Sequence, residues 1–399
     1  FKVNFCKFTN ETRLYLEDLS QNSGVKTLAA LNGTAAGGGY ELALACDWVV
    51  LPDDGSTAVS FPEVPLLGVL PGTGGLTRLV DKRKVRRDLA DVFSTVAEGI
   101  KGRRAQQWNL VDDVVPASRF AETVERRARE LADDAARVNT HRDAPGVTLH
   151  DVECARDGGT LRFRYVTLVL DDAARTASLE LRVPDTAPTS LEEIREQGAH
   201  WWVMQLFREL DLALLHLRFN APEVGLVLLR ATGPQETVLA TDRALDAFHG
   251  DWFVTEVRHL IKRVLKRYDI TARSAYAFIE PGSAFAGTLF ELTLAGDRTY
   301  MLDDPDNPNS FTLSVMNGGV YPMANGLSRL QTRFLGTPEK VDEALSHQGA
   351  FDAQAALDAG LVTFAPDDID WEDEVRLAVE ERATLSPDAR QASAHLRRR

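Results

Sequence analysis

The chain of 399 residues is 44% apolar and 26% charged, which is typical of a globular protein with roughly two to three domains. Because 59 acidic residues outnumber 45 basic ones, nucleic acid and anionic membranes are disfavoured as main partners. Three widely spaced cysteines without a CxxC motif indicate reduced thiols in the cytoplasm, and no apolar run is long enough to span a bilayer. Since the chain starts at Phe1 with neither a methionine nor a signal-peptide pattern, we expect a fragment of a longer protein.

Helices and strands alternate in the prediction for the first part of the chain. In chain order we predict a helix over 3–19, a strand over 25–31, a helix over 40–47, a strand over 48–51, helical stretches over 89–100 and 105–110, an extended segment over 111–115 and an amphipathic helix over 120–138. This alternation favours an α/β fold with mostly parallel strand pairing. Residues 140–146 are predicted to be a linker.

After the linker the pattern starts again. We predict strands over 162–170 and 177–183, a helix over 191–217, a strand over 224–230, a mostly helical stretch over 242–268 and a strand over 275–279. Two motifs also return at nearly the same separation: ELALACD at 41–47 becomes ELTLAGD at 291–297, and GVLPGTGGLTRL at 68–79 becomes GVYPMANGLSRL at 319–330. The sequence therefore predicts tandem copies of one α/β unit, at residues 1–145 and 146–399, the first lacking its beginning.

The candidate site centres on three consecutive glycines, Gly37, Gly38 and Gly39, which lead into the helix that carries Glu41. Glycine adopts backbone torsions that other residues avoid and lets a ligand approach the main chain closely. The first amides of the helix have no partner inside it and lie at its positive dipole end, so they can stabilise an oxyanion. The alternative is a tight turn in which Glu41 is only a favourable first-turn acid.

A second acid, Glu63, lies on a segment that Pro62 and Pro65 stiffen. Two carboxylates at one pocket can divide the roles of acid and base when their environments separate their pKa values. The apolar residues around Glu63 would supply a suitable low dielectric. The alternative is a pair of unrelated surface acids, in a chain that carries 59 acidic residues.

The second copy lacks these features. Its counterparts of the three glycines are Gly287, Thr288 and Leu289, whose larger side chains would block a close approach of a ligand. Counting back along the repeated motif places Ser314 at the position of Glu63. We therefore expect the second copy to be a scaffold and pairing surface, with a second active site as the alternative.

The sequences NGTAAGGGYELALACD and FPEVPLLGVLPGTGGLTRL, in this order, resemble the crotonase (enoyl-CoA hydratase/isomerase) superfamily, and the resemblance covers most of residues 1–140. It implies that the amide of Gly38 donates to the thioester oxygen of an acyl-CoA substrate. It also implies that Glu41 and Glu63 are the two acids of the hydratases, and that a second oxyanion donor lies upstream of Phe1.

Within the superfamily, the whole chain is similar to a group of double-unit, ring-cleaving lyases of benzoyl-CoA breakdown. This resemblance implies a carbon–carbon lyase that opens 2,3-epoxybenzoyl-CoA with water to give 3,4-dehydroadipyl-CoA semialdehyde and formate. The implied catalytic residues are Glu41 and Glu63, with Cys6 as a further pocket residue. The triple glycine and Gly72 would contact the oxyanion and substrate. The alternative for Cys6 is a small buried hydrophobic residue.

No cofactor is expected, because CoA is part of the substrate and water is the co-substrate, and the histidines show no metal-ligand spacing. The expected partners are the acyl-CoA substrate and further copies of the chain in a homo-oligomer, a dimer or larger. The basic residues at 82–87 either meet CoA phosphates or form a solvated face. The alternative functions are an enoyl-CoA hydratase/isomerase for other acyl-CoA thioesters and a non-catalytic CoA-binding or assembly protein.

Overall fold

The computed structural model describes residues 2–138 and 144–385, with side chains described for 6–137 and 144–385. The chain divides into two compact units, Phe1–Pro145 and Gly146–Arg399. Most of the predicted linker, residues 139–143, lies outside the described residues. Both units combine helices with strands, which makes the protein an α/β protein.

Two small sheets and six α-helices make up most of the described part of the first unit. The helices are α1 (Lys2–Asn22), α2 (Gly38–Ala45), α3 (Gly75–Thr77), α4 (Arg87–Thr95), α5 (Gly102–Gln107) and α6 (Phe120–Val138), and the strands are β1 (Leu28–Ala30), β2 (Ala35–Ala36), β3 (Trp48–Asp53), β4 (Ala58–Ser60), β5 (Ile100–Lys101) and β6 (Asp113–Pro116). One sheet has the order β1-β3-β6 and is parallel throughout. In the other, β4 pairs in parallel with β2 and antiparallel with β5.

Helix α2 carries Glu41 and owes its stability to burial. It has only eight residues, too few for a stable isolated helix, so tertiary packing must hold it. Tyr40 and Leu44 are fully buried, and the Tyr40 hydroxyl donates to the carbonyl oxygen of Leu110 at 2.7 Å. Phe61 and Phe93 pack on the Tyr40 ring with centroids 5.5 and 5.6 Å away. This aromatic cluster fixes α2 against the core of the unit.

The second unit is built on one sheet of seven strands. Its helices are α7 (Leu191–Gln197), α8 (Trp202–Asn220), α9 (Gln235–Ala247), α10 (Trp252–Asp269), α11 (Gly287–Ala295), α12 (Arg329–Arg333), α13 (Glu339–Ser346), α14 (Ala353–Asp358) and α15 (Trp371–Thr384), and its strands are β7 (Ala155–Asp157), β8 (Thr160–Arg162), β9 (Val166–Asp171), β10 (Thr176–Arg182), β11 (Leu226–Thr232), β12 (Ser274–Ile279) and β13 (Arg298–Met301). The order is β13-β12-β11-β10-β9-β8-β7. The pairs from β10 to β13 are parallel and those from β7 to β10 antiparallel, so this sheet is less parallel than predicted.

Several predicted boundaries are wrong. The helix predicted over 191–217 is divided at Gly198, whose φ of 50° and ψ of −123° end α7 before α8 begins. The stretch over 242–268 is mostly helical, as predicted, but it contains parts of two helices, because the Asp251 side chain accepts from two amides and starts α10 as a new helix. Ile100, predicted at the end of a helix, instead pairs with Val59 in a sheet. The single strand predicted over 162–170 is two strands in the structure, the end of β8 and most of β9.

The segments around α2 and α11 have the same order and pairing. Each helix is followed by a strand, β3 or β13, that pairs in parallel with the strand preceding the helix, β1 or β12. Both helix starts are held alike: Gly37 N donates to Ser60 O at 2.9 Å, and Gly287 N donates to Thr312 O at 3.0 Å. Among the helices of the described residues, none is long and apolar enough to cross a membrane.

Candidate functional site

The start of α2 presents backbone amides that a ligand can reach. Gly37 is buried and has a φ of 51° and a ψ of −124°, a conformation that favours glycine. Gly38 and Gly39 follow at the helix start and are exposed. Within residues 2–138, the N–H groups of Gly38 and Gly39 have no hydrogen-bond acceptor. The turn predicted from the triple glycine therefore leaves donors open at the positive end of a helix dipole.

Glu41 is fully buried directly behind these donors. Its Oε1 accepts from the amide of Gly75 at 3.0 Å, and its Oε2 lies 3.5 Å from Nη2 of Arg13. Oε2 has no hydrogen-bond partner among the described residues. Burial raises the pKa of Glu41 and the charge of Glu63 adds to this effect, while the Arg13 guanidinium and the Gly75 amide oppose it.

The approach of Gly75 to Glu41 depends on the absence of a side chain. A Cβ atom on Gly75 would lie 2.4 Å from Cζ of Phe61 and 2.7 Å from Oε1 of Glu41. The preceding Gly74 has a φ of 94°, and a Cβ there would lie 2.3 Å from Oδ1 of Asn10. Both glycines of this second turn therefore serve to bring a backbone donor to the carboxylate of Glu41.

Glu63 lies at the same glycine loop, on the first residue of a π-helical turn, Glu63–Leu67. A Cβ atom on Gly37 would lie only 2.6 Å from Oε1 of Glu63, so the carboxylate covers the face of Gly37. Oε2 of Glu63 is buried and has no hydrogen-bond partner among the described residues. Both predicted acids thus lie near the triple glycine, and Oε2 of each accepts no hydrogen bond among the described residues, although that of Glu41 has the ion-pair contact with Arg13.

Cys6 and Gly72, the other two predicted site residues, are neighbours. A Cβ atom on Gly72 would lie 3.4 Å from Sγ of Cys6, which is ordinary contact. Gly72 is exposed and Cys6 is half-buried. Gly72 lies three residues before Gly75, whose amide binds Glu41, so the pair is close to Glu41 along this segment. The buried hydrophobic alternative for Cys6 does not describe its partial exposure.

Arg13 is a site residue that the sequence analysis missed. It is 6% exposed, and Nη2 donates to the carbonyl oxygen of Gly38 at 2.8 Å in addition to its approach to Glu41. The local signal points elsewhere, since the i,i+4 spacing on α1 would pair Arg13 with Glu17. Glu17 instead forms a two-point ion pair with Arg78, at 2.9 and 2.8 Å. Only the tertiary structure shows what Arg13 contacts.

Most of the basic residues at 82–87 are engaged inside the first unit. Lys82 donates to Glu17 and to carbonyl oxygens at the end of α2, and Arg83 forms an ion pair with Asp112 at 2.8 Å. Arg86 pairs with Asp88. These pairings leave Lys84 and Arg87 as the residues of this cluster that could meet a phosphate.

The corresponding helix start in the second unit is filled by a carboxylate. Asp242 is buried, and its Oδ2 accepts from Thr288 N at 2.8 Å and from Ser314 Oγ at 2.6 Å. A Cβ atom on Gly287 would lie 1.9 Å from the same oxygen and 2.8 Å from Ser314 Oγ. Burial raises the pKa of Asp242 to about 6, although these donors oppose the shift. Glu291, the counterpart of Glu41, is held by Arg329 at 2.8 Å.

No group of three or more His, Cys, Asp or Glu side chains within 2–138 and 144–385 is arranged to hold a metal ion.

Known proteins are similar to this chain over part or nearly all of its length. The family model of enoyl-CoA hydratase/isomerase matches residues 5–144. Benzoyl-CoA-dihydrodiol lyase of Aromatoleum evansii is 53% identical over 392 residues, which cover 98% of this chain and 70% of that protein. The 2,3-dehydroadipyl-CoA hydratase of Escherichia coli (strain K12) is 38% identical over 123 residues, 31% of this chain and 46% of that protein.

Solved structures give a weaker likeness. A crystal structure of an enoyl-CoA hydratase/carnithine racemase from Magnetospirillum magneticum superposes with a TM-score of 0.42 at 17% identity. The superposition covers 61% of this chain and 80% of that one.

Proposed function

Since the chain belongs to the benzoyl-CoA-dihydrodiol lyase family, we propose that it is a carbon–carbon lyase that opens the ring of 2,3-epoxy-2,3-dihydrobenzoyl-CoA. The products would be 3,4-dehydroadipyl-CoA semialdehyde and formate, and atom balance requires two water molecules. One observation carries the assignment of the site: the Glu63 carboxylate covers Gly37 and that of Glu41 is linked to Gly38 through Arg13, while the amides of Gly38 and Gly39 are open.

In this proposal the thioester oxygen accepts from the amide of Gly38, which stabilises charge that moves onto the carbonyl as the ring opens. A donor of this kind contributes roughly 10²–10³ to the rate. One of the two glutamates protonates a leaving oxygen of the ring, and the other takes a proton from the attacking water. The raised pKa of Glu41 suits a group that holds a proton.

The exposed apolar residues after Glu63 support an apolar acyl group as ligand. Leu66, Leu67 and Leu70 are 66%, 70% and 74% exposed, which is unusual for three leucines within five residues. We expect Cys6 and Gly72 to lie beside this acyl group, because they contact each other and Gly72 is three residues before Gly75, whose amide binds Glu41.

We also propose that the second unit is a degenerate crotonase-like copy that serves as a scaffold and oligomerisation surface. The carboxylate of Asp242 supports this proposal, because it occupies the amide of Thr288 where the first unit leaves Gly38 open. Both carboxylate oxygens of Glu291 accept hydrogen bonds, from Asn317 at 2.7 Å and from Arg329 at 2.8 Å, whereas Oε2 of Glu41 accepts none. A homo-oligomer stays a prediction, which native mass spectrometry tests. The three unbonded cysteines support a cytoplasmic location.

The lyase function is tested with the full chain and synthetic 2,3-epoxybenzoyl-CoA in ¹⁸O-labelled water. We expect labelled formate and the semialdehyde thioester in the mass spectrum. Glu41→Gln and Glu63→Gln should each lower the rate at least a hundredfold. Glu291→Gln, at the corresponding helix position of the second unit, is the matched control and should keep the rate per folded molecule. Full turnover by both first-unit variants would refute the catalytic assignment.

The enoyl-CoA hydratase alternative is favoured by the family model that matches residues 5–144. It predicts hydration of crotonyl-CoA, with no formate from the epoxide. A non-catalytic CoA-binding protein would bind benzoyl-CoA in a calorimeter and turn over neither substrate. The same two assays therefore separate all three functions.

A further inference from the structure

Arg13 contacts both halves of the proposed site. Its Nη2 donates to the carbonyl oxygen of Gly38 at 2.8 Å and lies 3.5 Å from Oε2 of Glu41. Its Nη1 donates to the carbonyl oxygen of Thr9 at 2.7 Å, one turn earlier on α1. The side chain is 7% exposed, and a buried guanidinium is costly unless its charge is compensated. The buried guanidinium therefore needs a negatively charged partner, and the carboxylate of Glu41 lies 3.5 Å away.

We propose that Arg13 is a positioning residue, which orients Glu41 and the Gly38 peptide as one unit. This inference rests on the proposed lyase function and names a residue that acts through others, without touching the reacting atoms.

The contact with Gly38 fixes the direction of a donor. The carbonyl oxygen of Gly38 and the N–H of Gly39 belong to one planar peptide group, so holding the oxygen also aims the N–H. The preceding peptide is fixed as well, because the carbonyl oxygen of Gly37 accepts from the amide of Glu41 at 2.9 Å. Both exposed amides of the loop are thus held before a ligand arrives, which is the condition under which such donors are effective.

The contact with Glu41 balances its burial. Burial raises the pKa of Glu41 and the charge of Glu63 raises it further, while Arg13 gives the largest opposing effect, with the Gly75 amide and Arg78 as smaller ones. Removing the charge of Arg13 leaves burial less opposed, so Glu41 would hold its proton to higher pH. The limb of the pH–rate profile that reports Glu41 would then move to higher pH, whichever role this acid has.

The test compares Arg13→Gln and Arg13→Lys with wild type, with Arg83→Gln as a matched control. Arg83 also forms a largely buried ion pair, with Asp112 at 2.8 Å, but has no contact with Glu41 or the glycine loop in the structure. The readouts are the pH dependence of kcat and KM on the epoxide substrate, and the carboxyl ¹³C titration of Glu41 in protein without substrate.

We expect Arg13→Gln to lower kcat at least tenfold, to change KM less than threefold, and to raise the Glu41 midpoint by about one pH unit. Arg13→Lys keeps the charge and should restore the midpoint, but only part of kcat, because one ammonium group lacks the fork of the guanidinium. Arg83→Gln should leave midpoint and kcat as in wild type. If Arg13→Gln fails to fold, a wild-type midpoint together with reduced kcat in Arg13→Lys still supports the proposal.

The inference would be overturned if Arg13→Gln left both the Glu41 midpoint and kcat unchanged. It would also be overturned if a folded Arg13→Lys variant kept full kcat while its Glu41 midpoint shifted. Failure of the wild type to release formate refutes the proposed function instead. The ¹³C titration needs no substrate, so it continues to test the contact of Arg13 with Glu41 in that event.

Discussion

Gly37→Ala gives a sharp test of the site, because the structure separates its two effects. The first effect is on the backbone: a φ of 51° with a ψ of −124° costs a non-glycine residue about 1–3 kcal/mol. The second is local, since the new Cβ would lie 2.6 Å from Oε1 of Glu63, whereas ordinary contact starts at 3.4 Å. The carboxylate must therefore move by about 1 Å, a displacement that can cost about 10²-fold in rate.

The second unit supplies a matched control. Gly198 has nearly the same conformation, a φ of 50° and a ψ of −123°, and its Cβ would meet only Val147 at 3.5 Å. Gly198→Ala should therefore show a similar loss of stability, about 1–3 kcal/mol, without loss of turnover. The difference in rate between the two variants then isolates the displacement of Glu63 from the strain of the backbone.

The assay is formate release per folded molecule, with the folded fraction taken from thermal unfolding of each variant. We expect Gly37→Ala to fall about a hundredfold below Gly198→Ala in kcat. A rate for Gly37→Ala within threefold of the control would refute the argument, because Glu63 could then move without consequence for the reaction.

Three further predictions follow from particular contacts. Gly75→Ala should lower kcat more than tenfold, since its Cβ would displace Oε1 of Glu41 from the backbone amide that binds it. Wild-type kcat in a folded variant would contradict this. The double variant Leu66→Ser/Leu67→Ser should raise KM about tenfold, because these exposed leucines would lose an apolar contact with the ligand and little packing within the protein. An unchanged KM would show that they do not contact the ligand. Asp242 takes up a proton more readily in the folded than in the unfolded protein, since its pKa is raised to about 6. Wild type should therefore gain about 1 kcal/mol in unfolding free energy over Asp242→Asn between pH 7 and pH 5. Urea unfolding at both pH values measures the gain, and equal pH dependence of the two proteins would show that Asp242 does not titrate there.

The sequence located elements whose signals are local. The amphipathic pattern over 120–138 predicted α6 with the bounds that the structure has, and the triple glycine predicted the start of α2 to within two residues. Such signals act through hydrogen bonds and side-chain contacts within one or two turns, so a short stretch of sequence carries them completely. The family resemblance then picked Glu41 and Glu63 out of 59 acidic residues.

Contacts between distant parts of the chain were decided by tertiary structure alone. Local spacing pairs Arg13 with Glu17, yet packing of α1 near α2 turns Arg13 toward Glu41 and leaves Glu17 to Arg78. The second unit gives a parallel case, because Asp242 lies 46 residues before the Thr288 amide that it occupies. The periodicity of a helix fixes which residues share a face, but the opposing surface that meets this face comes from elsewhere in the chain. The sequence predicted that the helix start of the second unit is closed, through the side chains of Thr288 and Leu289, but only the folded packing of α9 showed that a carboxylate occupies its amide.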